Sequence, residues 1–206
     1  MLDMNTVVAP LLDTPVMGYP YVTLLDELVQ SELVGFQRRF EEKFGGRLWI
    51  PTMESLHVTF LHLLSPDVRY VESQDVLYEQ VGATADDVMR QLASEFGPVR
   101  FTSGEVVVSP AAIIVKWEDG GHMDRLREAF TSNFKVPEPT KGPPNIVHTT
   151  IGRFLEPMPV ESVREVALKL KVTSLPTVAE IELVRESRIY LQEFDVLKRY
   201  SLKGRR

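Results

Sequence analysis

The sequence contains no cysteine among its 206 residues. Disulfide bonds, thiolate nucleophiles and zinc–thiolate sites are therefore excluded. No segment approaches the roughly 20 consecutive apolar residues that a membrane-spanning helix needs, and residues 1–20 lack the basic start of a signal peptide. We therefore expect a cytoplasmic protein that does not bind membranes.

An excess of positive charge is missing as well. The formal net charge is -6 and the isoelectric point is about 5.3. Tight binding to long nucleic acid needs a basic surface, so we expect no long-duplex partner. A small phosphate ligand can still bind where positive groups gather in a cleft. Because 44% of the residues are hydrophobic, the chain is long and apolar enough for one large domain or two closely packed lobes.

Strand and helix patterns are mixed along the chain. Residues 1–18 predict an irregular N-terminal arm, and residues 19–206 predict one domain. Strand patterns cover 19–25, 47–50, 56–64, 99–109, 111–118, 146–154, 179–190 and 194–202. Helix patterns cover 26–44, 85–96 with Thr84 as its N-cap, 121–134 and 160–171. This order favours an α+β fold with antiparallel sheets over a doubly wound parallel fold.

Two of the four histidines lie in nearly identical settings. His57-Val58-Thr59-Phe60 and His148-Thr149-Thr150-Ile151 both read His, any residue, Thr, apolar residue, within a strand pattern. Residues i and i+2 of a strand point to the same face, so each motif presents an imidazole beside a hydroxyl.

Two such strands, placed side by side, form a set that can cleave a phosphodiester. One neutral imidazole removes a proton from the attacking water, and the other, protonated, donates a proton to the leaving oxygen. The hydroxyls of Thr59 and Thr150 can donate hydrogen bonds to the non-bridging oxygens, where negative charge grows. This chemistry requires neither a metal ion nor a cofactor, and no H-x-x-x-H or H-E-x-x-H spacing predicts a metal site.

The paired motifs resemble those of the two-histidine (2H) phosphoesterase superfamily, which includes RNA 2′,3′-cyclic phosphodiesterases and 2′-5′ RNA ligase-like proteins. Gly152-Arg153 after the second motif and residues 182–187 also look like features of this family. The resemblance implies two lobes related by pseudo-twofold symmetry, with the catalytic cleft between them. It also implies that His57 and His148 are the acid–base pair, and that Thr59 and Thr150 bind the phosphate.

The alternation of side chains along a strand predicts the sheet face on which other candidate residues lie. Arg153 has the parity that faces away from His148, but a bulge at Gly152 would turn it into the cleft to bind phosphate. His62 follows His57 by an odd number of residues, so we expect it on the opposite face, in a structural role. Further candidates are Lys141 in the proline-rich segment 135–145 for phosphate contact, and Tyr19, Tyr21, Trp49 and Phe154 for base stacking.

We therefore predict an enzyme that hydrolyses a cyclic or 2′-5′ phosphodiester of a nucleotide or short RNA. One alternative keeps this chemistry with a cyclic oligonucleotide signal or a non-nucleotide cyclic phosphate as substrate. Another is a module that binds RNA or a nucleotide without turnover. The sequence leaves open which histidine is the acid and which the base, and it leaves the oligomeric state open.

Overall fold

The structure is a computed structural model that describes residues 5–9, 12 and 14–204. It has an α+β fold with antiparallel sheets, as predicted. The strands are β1 Pro15–Leu24, β2 Leu48–Trp49, β3 His57–Leu64, β4 Val99–Arg100, β5 Ser103–Val108, β6 Ala112–Glu118, β7 His148–Phe154, β8 Thr177–Val178, β9 Glu180–Arg188 and β10 Glu193–Ser201. The helices are α1 Glu27–Phe44, α2 Gln74–Glu95, α3 His122–Asn133 and α4 Val160–Ala167.

Two four-stranded sheets give the molecule its two lobes. The first has the strand order β10-β9-β1-β3 and the second the order β2-β7-β6-β5, while β4 and β8 form a separate pair. In each sheet the motif strand pairs antiparallel with the strand that precedes it in sequence across a helix: β3 with β1 across α1, and β7 with β6 across α3. The two motif strands therefore have the same chain order and the same kind of pairing in the two sheets.

The helices cover the outer faces of the sheets. Helices α2 and α3 pack against the sheet that contains β3, whereas α1 and α4 pack against the sheet that contains β7 and β5. Buried side chains from both sheets belong to one hydrophobic cluster, so the two lobes share a core. No helix in the described ranges is both long enough and apolar enough to cross a membrane.

The boundaries of α1 follow from its sequence. The Asp26 carboxylate accepts a hydrogen bond of 3.0 Å from the Val29 amide and caps the first turn. Leu33 and Phe40 lie on the buried face of the helix. The helix ends at Gly45, whose φ of 55° is readily adopted only without a β-carbon.

The predicted helix over 85–96 is too short. Helix α2 begins at Gln74, where the Ser73 hydroxyl accepts a hydrogen bond of 3.3 Å from the Val76 amide, and Thr84 lies inside it. The polar residues of the first turns obscured the apolar stripe in the sequence. The Tyr78 ring packs over Gly82, so this glycine serves close packing and does not break the helix.

The predicted irregular arm over 1–18 is also wrong in part, because β1 begins at Pro15 and extends the predicted first strand toward the N-terminus. Its first residues pair with the end of β9, which supplies backbone partners that the sequence does not reveal. Ahead of β1, the amide of Thr6 donates to the carbonyl of Met158 at 2.9 Å. Residues 1–4, 10, 11 and 13 of the predicted arm lie outside the described residues.

A buried arginine on α3 fixes the edge of the first sheet. Because β3 is an edge strand, its outward carbonyls have no partner strand. Arg127, only 3% exposed, donates to the carbonyls of Phe60 and Thr59, both at 2.8 Å, and to the carbonyl of Pro144 at 3.0 Å. One guanidinium thus connects α3, the first motif strand and the proline-rich segment.

We expect Arg127→Met to lower the free energy of unfolding by about 3 kcal/mol, because it leaves buried carbonyls without donors. Urea denaturation measures the change. Arg125→Met is the matched control, since Arg125 lies on the same helix but is exposed, and we expect less than about 0.5 kcal/mol there. Equal stabilities of the two variants would contradict this role for Arg127.

Candidate active site

The two motifs meet at a cleft between the lobes. A cavity of about 200 Å³ is bordered by both motif strands, β3 and β7, and by the end of β9. The predicted residues His57, Thr59, His148, Thr150 and Arg153 all line it. The structure therefore brings together every side chain that the sequence nominates for catalysis or phosphate binding.

Each motif strand has a β-bulge directly after its His-x-Thr sequence. In β3, Tyr21 and Val22 of the neighbouring strand pair with Leu61 and Thr59, so Phe60 is the extra residue. In β7, Ile113 and Ile114 pair with Gly152 and Thr150, so Ile151 is the extra residue. A bulge reverses the face on which the following side chains lie, and both strands show the same alternation of buried and partly exposed residues.

The bulge in β7 turns Arg153 into the cleft, as proposed from the sequence for Gly152. The bulge in β3 does the same for His62, which lines the cavity. The predicted placement of His62 on the opposite face is therefore wrong, because strand parity was counted across an irregularity that the sequence does not mark. His62 and Arg153 occupy equivalent positions, five residues after the histidine of each motif.

Backbone carbonyls orient both motif imidazoles. Nδ1 of His57 lies 2.7 Å from the carbonyl oxygen of Ser55, two residues earlier. The carbonyl of Ile146, also two residues earlier, raises the pKa of His148. Because a carbonyl only accepts hydrogen bonds, Nδ1 of His57 carries the proton and Nε2 is free to exchange protons with a ligand.

Burial keeps the imidazoles neutral. The pKa of His57 is lowered from 6.5 to about 4, mainly because the imidazole is desolvated. The Ser55 carbonyl raises this pKa, whereas the charge of His148 lowers it. Desolvation likewise lowers the pKa of His148, with Arg153 and Arg127 adding repulsion. A bound phosphate anion would oppose these effects and favour the protonated form of either ring.

Arg153 is a partly exposed cation without an acidic partner in the described part of the chain. Desolvation lowers its pKa, whereas Tyr190 raises it. Its Cζ lies 3.7 Å from the centre of the Tyr190 ring, and its Nε is buried without a hydrogen-bond partner. The aromatic face stabilises the guanidinium without neutralising it, so its charge is available to an anion.

Glu186 holds Tyr190 in place. Tyr190 and Leu191 form a turn with positive φ values of 66° and 54°, which is unfavourable for residues with a β-carbon. The buried carboxyl group of Glu186 accepts a hydrogen bond of 2.8 Å from the amide of Leu191, and the amides of Leu191 and Tyr190 both lower its pKa, which desolvation raises to about 7. Glu186 was noted in the sequence only as part of the segment 182–187 that looks like the family, and Tyr190 was not noted, because only the tertiary fold brings the end of β9 to the cleft.

Most of the aromatic candidates lie elsewhere. Tyr21 and Phe154 are fully buried in the core, and Tyr19 stacks on Tyr78 with 4.3 Å between ring centres. Trp49 alone among them lines the cavity, 5.6 Å from the Tyr190 ring. Within the described ranges, no group of three or more histidine or acidic side chains is arranged to hold a metal ion.

We expect acid to destabilise the protein through its desolvated imidazoles. Desolvation lowers the pKa of both His57 and His62 from 6.5 to about 4. The unfolded chain therefore binds protons that the native state excludes, and stability falls as the pH drops from 6.5 toward 4, by at most about 3 kcal/mol per imidazole. Urea denaturation from pH 7 to 5 should show a shallower decline for His62→Phe than for wild type. Parallel declines would contradict this origin.

The contact of Glu186 with the Tyr190 turn predicts how substitutions at these two residues change phosphate affinity. Glu186→Ala should free the turn, and Tyr190→Ala should remove the ring that lies on Arg153. Each variant should weaken the binding of inorganic phosphate by about 1 kcal/mol, or about fivefold, whereas Glu186→Gln keeps an acceptor and should bind nearly as well as wild type. Isothermal titration calorimetry measures the affinities. Unchanged affinity in Tyr190→Ala would show that the ring does not position Arg153.

Comparisons with known proteins identify the fold. No protein-family model matches the chain, and no curated protein matches it either. Among solved structures, TT0787 of Thermus thermophilus is similar with a TM-score of 0.62 and 19% identity, over 92% of this chain and all of the other. ATU0111 of Agrobacterium tumefaciens strain C58 has a TM-score of 0.61 and 16% identity, over 91% of this chain and 87% of its own.

Escherichia coli LigT in its apo form has a TM-score of 0.58 and 11% identity, over 92% of this chain and 99% of its own. A crystal structure described as a phosphoesterase has the same TM-score and 12% identity, over 91% and 99%. At these identities the similarity concerns the fold. The chain has the fold of the two-histidine phosphoesterases, which confirms at that level the resemblance seen in the paired motifs.

Proposed function

We propose that this protein is a phosphodiesterase that hydrolyses a cyclic 2′,3′ or a 2′-5′ phosphodiester of a nucleotide or short RNA, in the cytoplasm and without a metal ion. The observation that carries the proposal is the convergence in one cleft of two imidazoles and two threonines, from equivalent positions of two strands, with Arg153 of β7, which has no acidic partner among the described residues. Structures of the similar Escherichia coli LigT with phosphate and with 3′-AMP, at TM-scores of 0.55 and 0.56, support a phosphate ligand for this fold.

In the proposed reaction, Nε2 of one neutral imidazole removes a proton from a water molecule whose oxygen attacks phosphorus. The bond between phosphorus and the leaving oxygen breaks, and the other imidazole, protonated, donates its proton to that oxygen. The product is a phosphomonoester with a free hydroxyl, and proton exchange with solvent restores the pair. Because His57 and His148 hold equivalent positions on their strands, the bridging oxygen that leaves decides which of them acts as base.

The remaining groups stabilise charge. The hydroxyls of Thr59 and Thr150 lie on the same strand faces as the imidazoles and donate to the non-bridging oxygens. The guanidinium of Arg153, desolvated and free of a carboxylate, adds a charge-assisted hydrogen bond to these oxygens. A desolvated cation that is already fixed by Tyr190 loses little entropy when phosphate binds.

The test is hydrolysis of the four nucleoside 2′,3′-cyclic monophosphates in the presence of EDTA. Wild type should turn over, and His57→Ala and His148→Ala should each lose about 100-fold or more in kcat, the usual contribution of a general acid or base. His122→Ala is the matched control, since His122 is exposed on α3 outside the cleft. The position of the phosphate in the product identifies the leaving oxygen.

Two outcomes would sink the proposal. One is full activity in both histidine variants, and the other is activity that EDTA abolishes and a divalent cation restores. Thr59→Val and Thr150→Val, which remove only the hydroxyls, should each cost about 10- to 100-fold in kcat.

A further inference from the structure

The cleft extends beyond the motif residues into a region that the reaction does not use. This region, here called the proline-lined end, consists of His62, Asp67 and Lys141 with Pro20, Pro66 and Pro144. Asp67 and Lys141 are the charged residues that act on the pKa of His62, and the two are paired with each other. The polar groups of the proline-lined end therefore form one cluster around His62.

Hydrogen bonds build this region as a fixed wall. The amide of Lys141 donates to the Ser65 hydroxyl at 3.1 Å, and the Thr140 hydroxyl donates to the carbonyl of Leu63 at 3.3 Å. The Tyr70 hydroxyl lies 2.7 Å from that of Thr140 and accepts from the Ser65 amide at 2.8 Å. With Arg127 bonded to the Pro144 carbonyl, the proline-rich segment is held against the end of β3.

The proline-lined end carries no net charge from its three polar residues. The ammonium of Lys141 is paired with the carboxylate of Asp67. Burial lowers the pKa of His62 to about 4, so its imidazole is neutral at physiological pH. A phosphate anion is attracted more strongly to Arg153, whose charge is uncompensated.

The same region offers hydrogen bonds that the protein does not use. Nδ1 of His62 is buried without a partner in the described part of the chain, and such atoms are rare unless a ligand or water completes them. Lys141 adds donors and Asp67 adds acceptors beside it. The rings of Pro20, Pro66 and Pro144 add apolar lining to the same cavity.

A nucleobase has the properties that this environment selects. It is neutral and planar, it carries both donors and acceptors along its edge, and its faces are apolar enough to pack on rings. We propose that the proline-lined end binds the nucleobase of the substrate, with His62 as a polar contact to its edge, while the phosphate lies between the two motif histidines. This inference rests on the proposed function and selects nucleotides over non-nucleotide cyclic phosphates.

The closing experiment compares ligands with and without a base. Calorimetry should show that 3′-AMP, 3′-GMP, 3′-CMP or 3′-UMP binds wild type at least about tenfold more tightly than ribose 3-phosphate, since a base contact of this kind contributes about 1–3 kcal/mol. His62→Phe, and separately the charge-neutral double variant Asp67→Asn/Lys141→Met, should reduce this preference about tenfold. Neither should change the affinity for ribose 3-phosphate or inorganic phosphate.

The matched control is Lys135→Met/Glu138→Gln, which removes an exposed ion pair from the same proline-rich segment and should leave every affinity unchanged. Equal affinity of wild type for the nucleotides and for ribose 3-phosphate would overturn the inference. So would a His62→Phe variant that loses phosphate binding and nucleotide binding to the same extent.

The calorimetry requires no turnover, so the two proposals fail separately. Base-dependent binding through His62 without hydrolysis would overturn the proposed function alone. Hydrolysis of a non-nucleoside cyclic phosphate with the same kcat/KM as the cyclic nucleotides would overturn the base subsite alone. In the kinetic assay, the His62 variant should raise KM for cyclic nucleotides about tenfold and leave kcat nearly unchanged.

Discussion

The one-residue bulge after each His-x-Thr sequence is the constraint on which the cleft depends. Regular strands would place His62 and Arg153 on the core side of their sheets, where a buried guanidinium has no partner. The extra residues Phe60 and Ile151 reverse the alternation, so that each strand presents three side chains to the same cleft. On the edge strand β3, the bulge also depends on Arg127, which supplies the hydrogen-bond donors that a neighbouring strand would otherwise provide.

The chemistry of the cleft follows from how charge is distributed in it. The protein has a net charge of -6, yet among the described residues around the two motif histidines one desolvated cation, Arg153, has no carboxylate partner. Stacking on Tyr190 fixes that cation without competing for it, and Glu186 maintains the turn that carries Tyr190. The neighbouring imidazoles are neutral because they are desolvated. An anionic phosphate is therefore attracted to a site where proton transfer by histidine is possible.

The two motif strands carry the same chemical groups only within the His-x-Thr sequences. A backbone carbonyl two residues earlier raises the pKa of both His57 and His148, and the threonine of each motif lies on the same strand face as its histidine. Five residues after each histidine, the equivalence ends, because His62 is neutral and faces polar neighbours of both signs, whereas Arg153 is charged and faces an aromatic ring. A pseudo-symmetric scaffold thus gives an asymmetric cleft, which allows the two ends of one substrate to be distinguished.

The sequence by itself determined the mixed α+β elements and the two motif strands, because alternating apolar residues and the i, i+2 spacing are local properties. It also placed α1, whose cap at Asp26 and end at Gly45 are local signals. Only the tertiary structure decided the start of α2 at Gln74, the start of β1 at Pro15, the side on which His62 lies and the contribution of Glu186 and Tyr190 to the cleft. Each of these depends on a partner distant in sequence: a bulge is defined by the neighbouring strand, and a buried carboxylate by the turn that folds onto it.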